Sequence, residues 1–339
     1  MINPILERKL EEVGIKQFLN DENITDIAIN KPYEIWVQNK EWQKIDVPTA
    51  SLENLQQLVT LIANSNKIEI DHEQPMMSVQ LPTGERVQAL VSPATLDNNI
   101  SITIRRFSKE TKSLEQLNAG GTFNQFKWIK FTDYSMQENL NKLTTTDKEL
   151  IQHLNDKDIL SFLRKAVLKH KNIVLIGRTG SGKTYVTRSL IDEIPKTERI
   201  ITIEDVHELF LNNHQNKVHL IFGAGKHRTT AKQSLAACMR MKPDRIFLAE
   251  IRGDEAWDYI SSLNTGHPGS ITSVHANGAI EAYTRIASLI KSTSTGSTLD
   301  INYIEYELYN TIHITMFYEN RKLTELFFDP VYSKTRDKS

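Results

Sequence analysis

The chain has 339 residues, 39% of them hydrophobic and 24% charged, which is enough to bury the cores of two ordinary domains. Its 41 basic residues nearly balance 42 acidic ones, for a formal net charge of −1, so no global positive field draws in DNA or anionic lipid, and direct nucleic-acid binding is not supported. One cysteine, Cys238, excludes an internal disulfide and any multi-cysteine zinc site, fits a reducing compartment and reads as an inert packed thiol.

The opening MINPILERKLEEVG breaks its apolar residues with charges, unlike a secretory leader. No apolar run approaches the roughly 18 residues of a membrane span, and the segment Ile159 to Leu168 is interrupted by charges, so any membrane contact is expected to be peripheral. Residues 3 to 19 carry Ile5, Leu6, Leu10, Val13 and Phe18 at helical spacing, a helix read as packing into a core in preference to lying on a membrane. Strands follow over Ile24 to Ile29 and Glu34 to Gln38, then a helix over Leu52 to Ala63, then strands over Met76 to Gln80, Arg86 to Val91 and Ile100 to Arg105. Residues 1–107 thus read as an antiparallel α+β domain. From Ser108 to Asn155 the pattern weakens around Gly120-Gly121 and Thr144 to Asp147, which places a linker at 108–155.

After a helix over Asp156 to Lys169, short apolar runs alternate with helices: Asn172 to Ile176, Arg199 to Ile203, Lys217 to Leu220 and Arg245 to Ala249. Such runs predict a largely parallel sheet covered on both faces, an α/β domain over 156–332, followed by a frayed tail at 333–339.

Gly177-Arg178-Thr179-Gly180-Ser181-Gly182-Lys183-Thr184 fits G-x-x-x-x-G-K-[ST] in full, between an apolar strand and a helix that starts near Tyr185. Glycines let backbone N–H groups curl around phosphate, and the helix N-terminus favours negative charge. Lys183 is expected on the β- and γ-phosphates and the Thr184 hydroxyl on Mg²⁺, so ATP and Mg²⁺ are the expected ligands.

Arg245 to Glu250 is an apolar strand ending in an acid that would face metal or water, but Ala249 stands where many such enzymes carry a metal-binding Asp. The missing acid must come from elsewhere. Glu204 and Asp205 end another apolar strand, with Glu208 just beyond, and in a parallel sheet such strand ends gather at one crevice. A third segment, Thr265 to Asn277, is rich in Gly and hydroxyl residues and holds two histidines: His275 is expected to sense the γ-phosphate, whereas His267 reads equally well as structural.

The segments GRTGSGKT, ITIEDVHEL, MKPDRIFLAEIRGDEA and TGHPGSITSVHAN, in this order, resemble the Walker A, Asp box, atypical Walker B and His box of the VirB11 family of secretion ATPases, part of the type II and type IV secretion traffic ATPases. LPTGERVQALV and SITIRRF resemble the arginine-bearing strands of that family's N-terminal domain, so the likeness spans about residues 20 to 330. The resemblance implies a RecA-like ATPase domain in which Gly177, Thr179, Gly180, Ser181, Gly182, Lys183, Thr184 and Tyr185 surround the nucleotide. It implies an Asp box of Glu204, Asp205 and Glu208, with Asp205 and Glu250 near metal, Arg252 beside Glu250, and His275 on the γ-phosphate. Arg86 and Arg105 match best as nucleotide contacts from the N-terminal domain, with Arg106 less clearly placed. It also implies a homohexameric motor, peripheral at the cytoplasmic face of the bacterial inner membrane, that acts with other components of a secretion or conjugation machine. Competing readings are a type II secretion or pilus ATPase, whose members commonly carry a four-cysteine metal site that one cysteine cannot build, and a RecA-like nucleic-acid translocase, for which no basic, aromatic-studded channel is evident.

Overall fold

The computed structural model describes residues 4–106, 111–223 and 229–335. The expected domain boundary at 107/108 and the last four residues of the expected tail lie outside these. The chain divides into two compact units, Met1–Lys109 and Glu110–Ser339.

In the first unit α1 (Pro4–Glu12) and α2 (Lys16–Asn20) precede β1 (Asp26–Ile29), β2 (Glu34–Gln38), β3 (Trp42–Asp46), α3 (Leu52–Ser65), β4 (Met76–Gln80), β5 (Arg86–Leu90) and β6 (Ser101–Arg105). The expected single helix over 3 to 19 is two, because Gly14 takes φ +83° and the Ile15 amide reaches back to the Leu10 carbonyl at 2.9 Å, a left-handed helix stop. All strand pairs are antiparallel, in the order β3-β2-β1-β6-β5-β4. Alternation along β5 and β6 buries Val87, Ala89, Ile102 and Ile104 in one core with Leu6 and Leu10 of α1 and Leu55, Val59 and Ile62 of α3. Ser51 caps α3 by accepting the Asn54 amide. Strand β3 escaped the sequence reading because it is a polar, mostly exposed edge strand with no apolar alternation.

The second unit runs α4 (Leu114–Ala119), β7 (Lys127–Ile129), α5 (Gln137–Asn141), α6 (Thr145–Asn155), α7 (Ile159–Leu168), β8 (Ile173–Ile176), α8 (Lys183–Asp192), β9 (Ile200–Glu204), β10 (Lys217–Ile221), α9 (Ala231–Cys238), β11 (Arg245–Leu248), α10 (Ala256–Asn264), β12 (Ile271–Val274), α11 (Glu281–Lys291), a 3-10 turn (Gly296–Thr298), α12 (Ile301–Thr311), β13 (Ile314–Glu319), β14 (Lys322–Phe327) and α13 (Pro330–Thr335). Its ladders are β10-β9-β11, all parallel, and β12-β8-β13-β14-β7, parallel except for the β13–β14 hairpin. Two serine side chains and one backbone bond join them at β11 and β12: Ser270 Oγ donates to the Ile246 carbonyl (2.6 Å), Ser273 Oγ to the Ala249 carbonyl (2.8 Å), and the Ile251 amide to the Ser273 carbonyl (2.9 Å). Strands β8, β9, β11 and β12 are buried along their whole length, and apolar clusters lie on both faces, as a helix-covered parallel sheet requires.

Residues 111–155, expected to link the domains, are built into this second unit. Leu114, Leu117, Phe123, Tyr134, Leu143, Leu150 and Ile151 are spaced too irregularly for a periodic signal, yet all are buried in the core that also holds Ile173 and Val186. Asp329, fully buried, accepts the amides of Phe131 (2.7 Å) and Thr132 (2.8 Å) and the Tyr134 hydroxyl (2.5 Å), fastening this segment to the far end of the chain. The expected tail is likewise corrected at its start, since α13 continues to Thr335 and Ser333 is buried. Cys238 is buried, and burial pushes its thiol up to about 12, an unreactive packed group.

Candidate nucleotide site

Strand β8 delivers the chain to Gly177, where φ is +145° and an added Cβ would lie 2.4 Å from the Tyr318 carbonyl oxygen and 2.6 Å from Ser181 Oγ. Only glycine fits. Gly180 (φ +79°) stands in open space on the exposed crest with Arg178 and Thr179, while Gly182 (φ +95°) packs against Arg321 at the tip of the β13–β14 hairpin. Gly182 is the N-cap of α8 and offers no side-chain cap, so the first amides of α8 face the loop as anion donors. Ser181 Oγ is buried and has no hydrogen-bond partner among the described residues, and Lys183 Nζ folds back on the Gly177 (2.6 Å) and Arg178 (3.0 Å) carbonyls. Burial lowers the Lys183 pKa, opposed by the carboxylates of Glu250 and Glu208, whose field reaches it. A half-buried ammonium, bare helix amides and an unsatisfied hydroxyl form a cradle that suits phosphate.

The Thr184 hydroxyl donates to Glu208 Oε2 at 3.3 Å. Glu208 is positioned through its backbone: Arg188 Nε donates to the Glu208 carbonyl (2.7 Å), its guanidinium lies 4.8 Å from the Phe210 ring, and Glu204 Oε2 accepts the Glu208 and Leu209 amides (both 2.7 Å). Glu204, expected in the Asp box, thus holds the turn that carries Glu208. It is fully buried, and its other oxygen accepts the Thr202 hydroxyl at 2.6 Å and faces His207 and His219. Burial disfavours its charge, but hydrogen bonds from His207, His219, Thr202 and the Leu209 amide outweigh that and hold its carboxyl at about 2.

Glu250, just past β11, lies between His275 and Arg252. His275 Nε2 lies 3.2 Å from Oε1, and Arg252 donates to Oε2 at 2.8 Å while its other nitrogen reaches Asp205 Oδ2 at 2.5 Å. Hydrogen bonding to Glu250 raises the Arg252 pKa further, so this bridge is permanently charged. Glu255 Oε1 accepts the amides of Arg252 (2.7 Å) and Gly253 (3.0 Å) and shapes the turn that carries the arginine. Ala249 packs at the margin of the apolar core and donates its amide to the Ile203 carbonyl, so acids enter from the β9 end instead.

The structure therefore brings Lys183, Thr184, Glu208, Glu250 and His275 together, with Asp205 joined through Arg252. Tyr185 lies one position further into α8, half-buried. His267 sits before β12, with Nδ1 3.2 Å from the Pro243 carbonyl before β11, at the ends of the strands opposite the phosphate loop; it is structural. Arg86 and Arg105 are register partners on β5 and β6 of the first unit, where Arg105 Nε donates to Asp26 at 2.7 Å. Arg106 is tied to the Asp21 and Ile24 carbonyls. Sequence reasoning missed Arg188 and Glu255; the one available signal is a charged residue inside the buried run Val186 to Ile191.

A parallel α/β sheet with this loop, and acids at the neighbouring strand ends, defines a P-loop ATPase with a RecA-like core. Residues 129–302 match the family described as Type II/IV secretion system protein. The type IV secretion system protein VirB11 of Bartonella henselae is 38% identical over 335 residues, covering 96% of this chain and 93% of the relative; that of Brucella suis is 35% identical over 329 residues, covering 93% and 88%. A crystal structure of the VirB11 ATPase from the Brucella suis type IV secretion system, in complex with sulphate, aligns with TM-score 0.53 at 35% identity over 97% of this chain and 98% of that one. The Legionella pneumophila ATPase DotB, 17% identical with TM-score 0.55, covers 96% of this chain and 79% of its own, a likeness of fold alone. The chain belongs to the VirB11 family of type IV secretion ATPases. It is a nucleotide-binding, ATP-hydrolysing motor of type IV secretion.

Proposed function

We propose that ATP is bound with Mg²⁺ at the 177–184 loop and hydrolysed with Glu250 acting on the attacking water. The carrying observation is that the loop sets the buried, unsatisfied Ser181 hydroxyl and the uncapped start of α8 beside Lys183, with Glu208 3.3 Å from the Thr184 hydroxyl. Lys183 leaves its own loop carbonyls for the β- and γ-phosphates, and the Ser181 hydroxyl and the α8 amides donate to the remaining phosphate oxygens. Thr184 and Glu208 offer the hard oxygen donors that Mg²⁺ prefers, and Asp205 and Glu250 are proposed beside them. The ion would supply charge neutralisation across the β- and γ-phosphate oxygens. His275 Nε2 stands 3.2 Å from Glu250 Oε1 and is placed to couple that base to the γ-phosphate, while Arg252 orients Glu250.

Steady-state ATP turnover tests this. Lys183→Ala is expected to abolish it, and equal, nonzero rates for variant and wild type would refute the site. Glu250→Gln is expected to bind ATP normally and lose about 100-fold or more in kcat. Arg86 and Arg105 are proposed as further nucleotide contacts, so that Arg86→Ala raises KM for ATP; an unchanged KM removes it from the site. Within the same reading the chain works as a homohexameric ring, peripheral at the cytoplasmic face of the inner membrane, alongside other parts of the machine. The family likeness supports this, and no helix among the described residues is long and apolar enough to cross a membrane. Sedimentation of the ATP-bound protein as a monomer at micromolar concentration would contradict the ring.

A further inference from the structure

The edge strand β10 and the end of β9 bring together a group to which the hydrolysis proposed above assigns no step. In the parallel register Thr202 pairs with His219, and Glu204, two residues on, projects from the same face as Thr202. The turn after β9 folds His207 back onto that face. The two imidazoles lie with ring centroids 4.3 Å apart, and their Nδ1 atoms stand 3.2 Å (His207) and 3.4 Å (His219) from a single oxygen, Glu204 Oε1. All three candidate ligand atoms lie within 4.8 Å of one another.

From this geometry we propose that Glu204, His207 and His219 form a binding site for a divalent transition-metal ion of the zinc class. Zinc binds imidazole nitrogen and carboxylate oxygen at about 2.0–2.1 Å, so tetrahedral ligands stand about 3.3 Å apart, which is the spacing from Oε1 to each imidazole. Two imidazoles and a carboxylate suit Zn²⁺, Ni²⁺, Co²⁺ or Cu²⁺ and are a poor set for Mg²⁺ or Ca²⁺, so this site is chemically distinct from the Mg²⁺ site proposed above. Glu204 brings the negative charge and is anchored by the Glu208 and Leu209 amides on its other oxygen, an outer shell that orients the ligand. The Thr202 hydroxyl, 2.6 Å from Oε1 and 2.8 Å from His219 Nδ1, plays the same part. The imidazole side chains are 33% and 22% exposed, which leaves a route in and room for a water as fourth ligand. With the ring proton on Nε2 each Nδ1 presents a lone pair to the ion.

The test titrates the whole nucleotide-free chain with Zn²⁺ against a chromogenic chelator, with excess Mg²⁺ present to occupy hard-oxygen sites. One Zn²⁺ is expected to bind, with affinity lowered about tenfold or more in His207→Gln and in His219→Gln and unchanged in His72→Gln, an exposed histidine of the first unit. Wild-type affinity in both site variants overturns the proposal. X-ray absorption of the zinc-loaded wild type keeps the test independent of how the variants fold: a nitrogen and oxygen shell with two imidazoles supports the site, whereas fewer than two, or no bound zinc, overturns it.

Discussion

At Gly177 a methyl group would collide with the Tyr318 carbonyl and the backbone would stay in a region closed to other residues, whereas Gly180 has the left-handed φ but nothing within 4 Å. Gly177→Ala is therefore expected to lose about 3 kcal/mol or more, and Gly180→Ala only about 1–2 kcal/mol, read as shifts in urea midpoint. The motif fixes Gly177 and leaves position 180 open, and the hairpin behind the loop supplies the physical reason for the first. Glu204 makes a second prediction. Its folded carboxyl sits at about 2 against an ordinary 4.5, so its stabilisation is complete above pH 4.5 and is lost as pH falls towards about 2. Glu204→Gln should remove that part of the acid-unfolding curve, measured by circular dichroism between those two pH values; an unchanged curve would mean the carboxylate is not held as described.

Between elements, the seam of β11 and β12 rests on serine hydroxyls. Ser270 Oγ also meets the buried Tyr259 hydroxyl, so Ser270→Ala strands two polar groups and Ser273→Ala one. Costs of about 2–3 and about 1–2 kcal/mol are expected, with unchanged denaturant slope. The sequence reading took this hydroxyl-rich segment for part of the nucleotide site. Its histidine, His275, does reach Glu250, but the serines join strands, a distinction that depends on which strand lies next to β12. Strands with continuous apolar runs were legible within a residue or so, because burial on both faces imprints them directly. Polar β3, three-residue β7 and the β13–β14 hairpin were not, since edge and hairpin strands carry weak patterns.

Across the whole second unit, Asp329 ties residues 131–134 to the C-terminal helix over nearly 200 positions of chain. Asp329→Ala leaves three amides, those of Phe131, Thr132 and Tyr332, and a buried hydroxyl without their acceptor, and a loss of about 3 kcal/mol is expected, with faster hydrogen exchange at Phe131 and Thr132. Protection equal to wild type would show that the segment is held by its apolar contacts alone. This long-range anchoring is why 111–155 resembled a linker: its order comes from partners far along the chain.

The sequence by itself determined the phosphate loop, the acidic strand ends and the two kinds of domain. One loop wraps the phosphate, so its residues must be contiguous, and buried strands must be apolar throughout. Tertiary structure alone decided which acid does what. Glu204 and Glu208 are four residues apart in the same acidic box, but the turn after β9 buries the first against two histidines and carries the second to Thr184. Which way a side chain faces at a strand end is set by the neighbouring strand and the turn's hydrogen bonds, and neither is written in local spacing.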